Sequence, residues 1–295
     1  MPAENLAGIS GVGQRLANAR AAQNLLCVSQ GMTADGGRKE FTPRMGSLPG
    51  STRTVLARRH ALLDPASHVR GGLPGFSSQA AIVLISPRMG ANFVQFLIDL
   101  KPGESGGSSL PEMEIESFFY LSTGAAVSEM GSRTLPLSPG SFFFAPPGNA
   151  WTLRARETGA CGVLIQKTYA ALPGVPAAAP VVGRAEEVEG LPFLGDPDAL
   201  LQTFLPDNLS FDMAVNLFTF RPGAALPFVE VHVMEHGLLM LEGRGIYRLE
   251  DSWYPVQAGD AIWMAPYCPQ WFAALGPGPA RYLYYKDTAR HPLGG

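Results

Sequence analysis

The chain repeats itself, and this constrains its fold more than any other feature. Asn92-Phe-Val-Gln-Phe-Leu-Ile-Asp-Leu-Lys-Pro-Gly103 aligns with Asp212-Met-Ala-Val-Asn-Leu-Phe-Thr-Phe-Arg-Pro-Gly223. Gly124 and Gly140 stand 16 residues apart, and so do Gly243 and Gly259. Ile165-Gln-Lys167 aligns with Tyr284-Tyr-Lys286, so the offset is 120 residues early and 119 later, with one residue gained or lost. Self-similarity at a fixed offset marks a duplicated structural unit. Each copy is a series of short apolar segments with aromatic and β-branched content, bounded by turns. The first copy has Ala81–Ser86, Phe93–Leu100, Ile115–Ser122, Ser141–Ala145 and Gly162–Gln166. The second has Met213–Phe220, Phe228–Val233, Leu238–Leu241, Ala261–Met264 and Arg281–Tyr285. Segments of this length and composition read as strands. The expected fold is all-β, in two lobes of roughly 100 residues each.

Composition supports that reading and removes several functions. Gly 34 and Pro 26 in 295 residues supply the turns that many short strands need. Apolar residues at 46% against 16% charged describe a chain with much to bury. Lys+Arg 22 against Asp+Glu 25 leaves a net charge of −3, which argues against a dedicated nucleic-acid partner. No apolar run approaches the ~18 residues of a spanning helix, so no membrane partner is expected. The cysteines include no C-x-x-C pair, and a zinc-thiolate site is not expected. Cys268 reads as a small buried residue.

The expected organisation is an extension over 1–50, an N-terminal lobe over 51–171, a Pro/Ala/Gly-rich linker over 172–192 and a C-terminal lobe over 193–295. The extension has no acidic residue between Glu4 and Asp35 but carries Arg15 and Arg20. Three readings stand for it: a disordered tail, a targeting peptide, or a start at Met45. The expected location is the cytoplasm in a bacterium, and an organelle reached through residues 1–45 in a eukaryote.

The second copy carries the chemistry. In Glu230-Val-His232-Val-Met-Glu-His236, strand alternation places Glu230, His232, Met234 and His236 on one face. Two of the chain's five histidines are here, while His60, His68 and His291 are scattered. Such a row reads as a metal site, and a satisfied polar network inside a barrel is the alternative. The spacing Gly223-(six)-Glu230-x-His232-(three)-His236-(six)-Gly243 resembles the first cupin motif, with Glu in the first ligand slot and His in the last. In the second cupin motif a ligand follows a glycine by eleven residues, and that count runs here from Gly259 to Gln270. The resemblance implies a bicupin, two tandem jelly-roll barrels. It also implies a metal held by Glu230, His232, His236 and Gln270. The same counting in the first copy reaches Trp151, Ser117, Met113 and Pro111, none a good ligand, with Glu114 and Glu116 nearby. One metal per chain is therefore expected, in the C-terminal lobe, with the N-terminal lobe structural.

The Glu/His/His/Gln order is similar to that of the (S)-ureidoglycine aminohydrolases, bicupin enzymes of allantoin and purine breakdown. Further segments look like that family. They include Gly245-Ile-Tyr-Arg-Leu249, Trp253-Tyr-Pro-Val-Gln-Ala-Gly-Asp260, Pro269-Gln270-Trp271 and Tyr282-Leu-Tyr-Tyr-Lys286-Asp287, with Arg53–Gly75 leading into Ile85-Ser-Pro-Arg-Met-Gly90. The likeness covers about residues 50–290. It implies Mn²⁺ as the cofactor, and a donor set of one carboxylate, two imidazoles and an amide suits Mn²⁺ or Fe²⁺ without excluding Zn²⁺. It implies hydrolytic replacement of the α-amine of (S)-ureidoglycine by hydroxyl, giving (S)-ureidoglycolate and ammonia. It further implies Lys286 as the catalytic proton carrier, with Tyr282 and Glu230 in contact with the substrate. Lys167 aligns with Lys286 in the copy without ligands, which leaves open an inherited strand-end lysine. Alternatives are a bicupin dioxygenase or decarboxylase acting on another small acid, and a non-enzymatic cupin that binds a small ligand. The expected partners are a small ureide substrate and further copies of the chain in a homo-oligomer.

Overall fold

A computed structural model of the protein describes residues 52–287, apart from residue 78 and residues 109–113. The proposed extension over 1–50, His291, Met113 and Pro111 lie outside the described residues. Among those described, regular structure is β-strand, with 3-10 turns at Pro65–Ser67, Pro87–Met89 and Ala185–Glu187.

Each repeat builds one large antiparallel sheet. In the first, Ile115–Met130 and Trp151–Thr168 pair along most of their lengths, and Val94–Leu100 flanks Trp151–Thr168. In the second, Ala280–Asp287 lies between His236–Glu242 and Met213–Phe220. A smaller sheet of Ser252–Gln257, Arg244–Leu249 and Gln270–Ala274 completes the second barrel. The first repeat folds with longer strands than the spacing predicts, because Ile115–Met130 and Trp151–Thr168 bend and run on instead of breaking. A register shift between Ala155 and Ala160 lets them turn the corner. Gly124 sits at that corner with φ 81°, and a Cβ there would lie 2.2 Å from the Gly159 carbonyl. Gly243 occupies the matching corner, 2.3 Å from the Pro279 carbonyl by the same construction. Gly124 and Gly243 are therefore corners that no side chain fits.

The lobes exchange strands. His60–Leu63, in the N-terminal part of the chain, pairs with Ala261–Met264 of the C-terminal sheet, with Ala61 opposite Trp263. Val181–Arg184, within the expected linker, pairs with Ser141–Ala145 of the N-terminal sheet, with Val181 opposite Phe144. Arg53 fastens the first exchanged segment through a bidentate bond to the fully buried Asp260, 2.8 and 2.7 Å. His60–Leu63, within the expected N-terminal lobe, and Val181–Arg184, within the expected linker, are early strands that each repeat lends to the other's sheet.

Side-chain alternation then divides the core in three. Phe119, Phe143, Trp151 and Leu164 fill the N-terminal barrel. Phe220, Leu238, Met240 and Phe272 fill the C-terminal one. Phe93, Phe118, Leu217, Leu239, Leu283 and Tyr285 pack between the sheets, where the lobes meet back to back. Along Ala280–Asp287, Leu283 and Tyr285 face that interlobe core while Tyr282, Tyr284 and Lys286 face the C-terminal cavity.

Candidate metal centre

Glu230, His232, Met234, His236, Gln270, Tyr282 and Lys286 all line one cavity of about 150 Å³ in the C-terminal barrel. Local structure brings them there by a different route than alternation along one strand. Phe228–Val233 is not a strand. Glu230 makes a single antiparallel bridge with Gln270 through Glu230 N to Gln270 O at 2.8 Å and Gln270 N to Glu230 O at 3.0 Å. The next strand begins at His236. The segment crosses from the small sheet to the large one, so it cannot stay paired along its length. The Tyr267 N–H, bonded to the His232 carbonyl at 2.7 Å, steadies the crossing.

The donor geometry fits a metal. The Nε2 atoms of His232 and His236 are 3.1 Å apart, and the Gln270 side-chain amide is 3.0 Å from His232 Nε2. Donors about 2.1 Å from one ion at right angles stand about 3.0 Å from each other, so these contacts suit shared ligation. The amide presents its oxygen after a half-turn. His236 Nδ1 lies 3.3 Å from the Tyr285 carbonyl, which aims Nε2 at the cavity. Burial, with the charges of His232 and Lys286 adding to it, pushes His236 down to about 3. Burial also lowers His232. Both imidazoles are therefore neutral near pH 7 and have lone pairs to give. Burial raises the Glu230 carboxyl, and the Lys286 charge opposes that rise. Among the described residues, no three His, Cys, Asp or Glu side chains alone close on one point. The close contacts are those of two imidazoles and an amide, with Glu230 in the same cavity wall. Cys268 is a buried free thiol pushed up to about 11 by burial, unsuited to serve as a thiolate ligand.

Strand register corrects the alignment of the lysines. Lys286 lies opposite His236 on one side and Ala214 on the other. In the first lobe the residue opposite both Ser117 and Val94 is Gln166, not Lys167. Lys167 points between the lobes and bonds Asp212 at 2.7 Å. Lys286 is thus not an inherited strand-end lysine. Gln166 bonds the Ser117 hydroxyl at 3.0 Å instead. Among the described residues, the N-terminal barrel has no donor set comparable to that of the C-terminal one. Trp151, at the place of Gln270, is 1% exposed and packs edge-on against Phe76 and at 5.2 Å from Phe143. Glu116 lies beside Lys167 and Asp212, away from the barrel interior.

Tyr247 and Tyr284 also line the cavity and were missed by the motif reading. Tyr284 was within reach of it, two residues before Lys286 on the same strand face. Tyr247 and Tyr282 share a hydrogen bond, and burial raises both hydroxyls and that of Tyr284. All three stay protonated at neutral pH and can donate. Phe193 gave no sequence signal, because it closes the cavity from the sheet edge by packing on Phe218 at 5.0 Å.

Comparison with known proteins agrees with this architecture. A profile described as a cupin domain matches residues 216–285. Together with the duplicated β-fold, this makes the chain a bicupin. It is 41% identical over 249 residues to an (S)-ureidoglycine aminohydrolase of Arabidopsis thaliana, covering 83% of this chain and 81% of that one. It is 35% identical over 257 residues to the (S)-ureidoglycine aminohydrolase of Escherichia coli strain K12, covering 83% and 97%. The chain belongs to the (S)-ureidoglycine aminohydrolase family. The crystal structure of protein Ylba from E. coli superposes with TM-score 0.73 at 31% identity, over 82% of this chain and 96% of that one. A glyoxylate-induced protein from Pseudomonas aeruginosa, described as putative, gives 0.74 at 29% identity, over 87% and 95%. A Bacillus subtilis oxalate decarboxylase shares the fold at TM-score 0.58 and 15% identity, over 78% of each chain.

Proposed function

We propose that the chain hydrolyses (S)-ureidoglycine to (S)-ureidoglycolate and ammonia, with Mn²⁺ held by Glu230, His232, His236 and Gln270. One observation carries the reading. The four donors and Lys286 converge in one cavity of a chain that shares 35–41% identity with relatives bearing that activity in their names. A bound dication supplies an orienting, polarising positive charge for a small acid. With one carboxylate among its ligands, the site keeps a net positive charge, which suits a substrate carboxylate.

The chain's own groups do the rest. In the reaction a C–O bond forms from water, a C–N bond breaks, and the leaving amine must acquire a proton. Lys286 is the proton carrier. Its ammonium gives a proton to the departing nitrogen and recovers one from the water that adds. The Tyr282 and Tyr247 hydroxyls bond each other, which leaves one O–H of the pair to donate to a substrate oxygen. The aromatic and aliphatic side chains around them exclude bulk water and keep the ammonium close to the reacting carbon.

The test is ammonia release from freshly generated (S)-ureidoglycine by purified protein with Mn²⁺. Release above the spontaneous rate supports the reading. A rate equal to the spontaneous one overturns it.

A further inference from the structure

The residues that alternate with the site residues face the other way, into the metal-free lobe. Glu235 precedes His236 and Gly237 follows it. Tyr285 and Asp287 flank Lys286. Glu235, Gly237 and Tyr285 meet one segment of the N-terminal lobe, Asn92–Gln95, and Asp287 is tied to them through Glu235. The fully buried Glu235 carboxylate accepts the Asn92 main-chain N–H at 2.9 and 3.2 Å and the Trp263 indole N–H at 3.3 Å. The Glu235 N–H donates to Asp287 Oδ1 at 2.7 Å. That bond ties the residue before the histidine to the residue after the lysine. Phe93 packs against the Tyr285 ring at 4.2 Å, and it lies so close to Gly237 that a Cβ there would stand 2.5 Å from its ring. Gln95 donates to the Leu238 carbonyl at 3.4 Å.

The duplicate positions are wired otherwise. Glu116, Lys167 and Asp212 stand at the places of Glu235, Asp287 and Asn92. There a lysine–aspartate ion pair at 2.7 Å joins the lobes, and Glu116 lies 4.0 Å from the lysine. Glu235 instead accepts from the Asn92 main-chain N–H and the Trp263 indole N–H, which fix direction as well as distance.

We infer that Glu235 is a positioning residue through which the metal-free lobe sets the placement of His236 and Lys286. The N-terminal lobe is then a working part of the metal site, not only a scaffold. A displacement of well under 1 Å in a ligand or a proton carrier is enough to weaken a site of this kind. The inference rests on the metal reading above.

The experiment compares Mn²⁺ binding to full-length Glu235→Gln, Phe93→Leu and Lys167→Met proteins with the parent. Free Mn²⁺ is counted by electron paramagnetic resonance, and melting temperature is recorded alongside. Glu235→Gln is expected to weaken Mn²⁺ binding at least tenfold and to change the splitting pattern of the bound ion. Phe93→Leu, which loosens the same backing without touching a polar group, is expected to weaken binding several-fold. Lys167→Met loosens the lobe contact at the duplicate position and is expected to lower the melting temperature with Mn²⁺ binding within twofold of the parent. If Glu235→Gln and Phe93→Leu bind Mn²⁺ as the parent does while melting lower, the carboxylate only holds the lobes together and the inference fails. If Lys167→Met weakens binding as much as Glu235→Gln, the effect belongs to general loosening and the inference fails too. A parent that binds no Mn²⁺ at all overturns the metal reading itself, a result separate from either.

Discussion

His236 and Lys286 face each other across neighbouring antiparallel strands, and both side chains line the same cavity. A ligand candidate and a proton-carrier candidate are thereby held in one register. Lys286→Met should therefore separate binding from turnover. The expected result is an unchanged Mn²⁺ content with kcat lower by about 10²-fold or more, the usual worth of a placed acid or base. Metal analysis and ammonia release on the same preparation check it. Loss of metal together with activity would assign Lys286 to the site's architecture instead.

Much of this arrangement was legible in the sequence, because duplication and ligand spacing are properties of the chain read in order. Gly124 and Gly243 marked the barrel corners, and counting from the cupin motifs picked out Glu230, His232, His236 and Gln270, which line one cavity. What was hidden depends on pairing between distant strands. The one-residue shift that makes Gln166, not Lys167, the partner of Ser117 arises in the sheet register. The exchange of His60–Leu63 and Val181–Arg184 between lobes is invisible to local periodicity. The loop from Glu230 to Glu235 alternates like a strand in sequence, yet it has no partner strand along most of its length.

Gln270 should contribute to metal binding without supporting the fold. Its contact with Glu230 is made by main-chain atoms, which any side chain leaves in place. Gln270→Ala should retain the parent's melting temperature without metal and bind Mn²⁺ about tenfold more weakly, in line with loss of one neutral ligand. Titration of the metal-free variant reads both. Unchanged affinity would remove Gln270 from the ligand set.

The metal-free protein should lose stability in mild acid because of His236. Its folded-state value lies at about 3, below the ~6.5 of an exposed imidazole, because burial disfavours the charged form. Between these values the unfolded chain binds the extra proton. Stability is full above about pH 6.5 and falls as the pH drops toward 3. His232, lowered for the same reason, adds to the slope. Urea midpoints from pH 7 to pH 4 should fall less steeply for His236→Asn than for the parent. Parallel slopes would show that His236 is not the responsible group.

Lys167 offers the contrast with Lys286, since the two lysines align in sequence but face opposite sides of their sheets. Lys167 is 10% exposed in its side chain and Asp212 is 2% exposed. The pair joins the end of Trp151–Thr168 to the residue just before Met213–Phe220. Asp212 also accepts the Ala170 N–H at 2.6 Å, and its carboxyl is lowered by the contacts with Glu116, Lys167 and Ala170 against a desolvation that would raise it. Lys167→Met would strand a buried carboxylate and should cost about 3–5 kcal/mol of stability. Adding Asp212→Asn should return most of that loss, because an uncharged amide keeps an acceptor for Ala170 without the unpaired charge. Denaturant unfolding of the single and double variants gives the numbers. Turnover per folded molecule should stay at the parent's value in both, since neither side chain lines the metal cavity. A double variant no more stable than Lys167→Met would mean that the loss comes from the lysine's packing and not from the stranded charge.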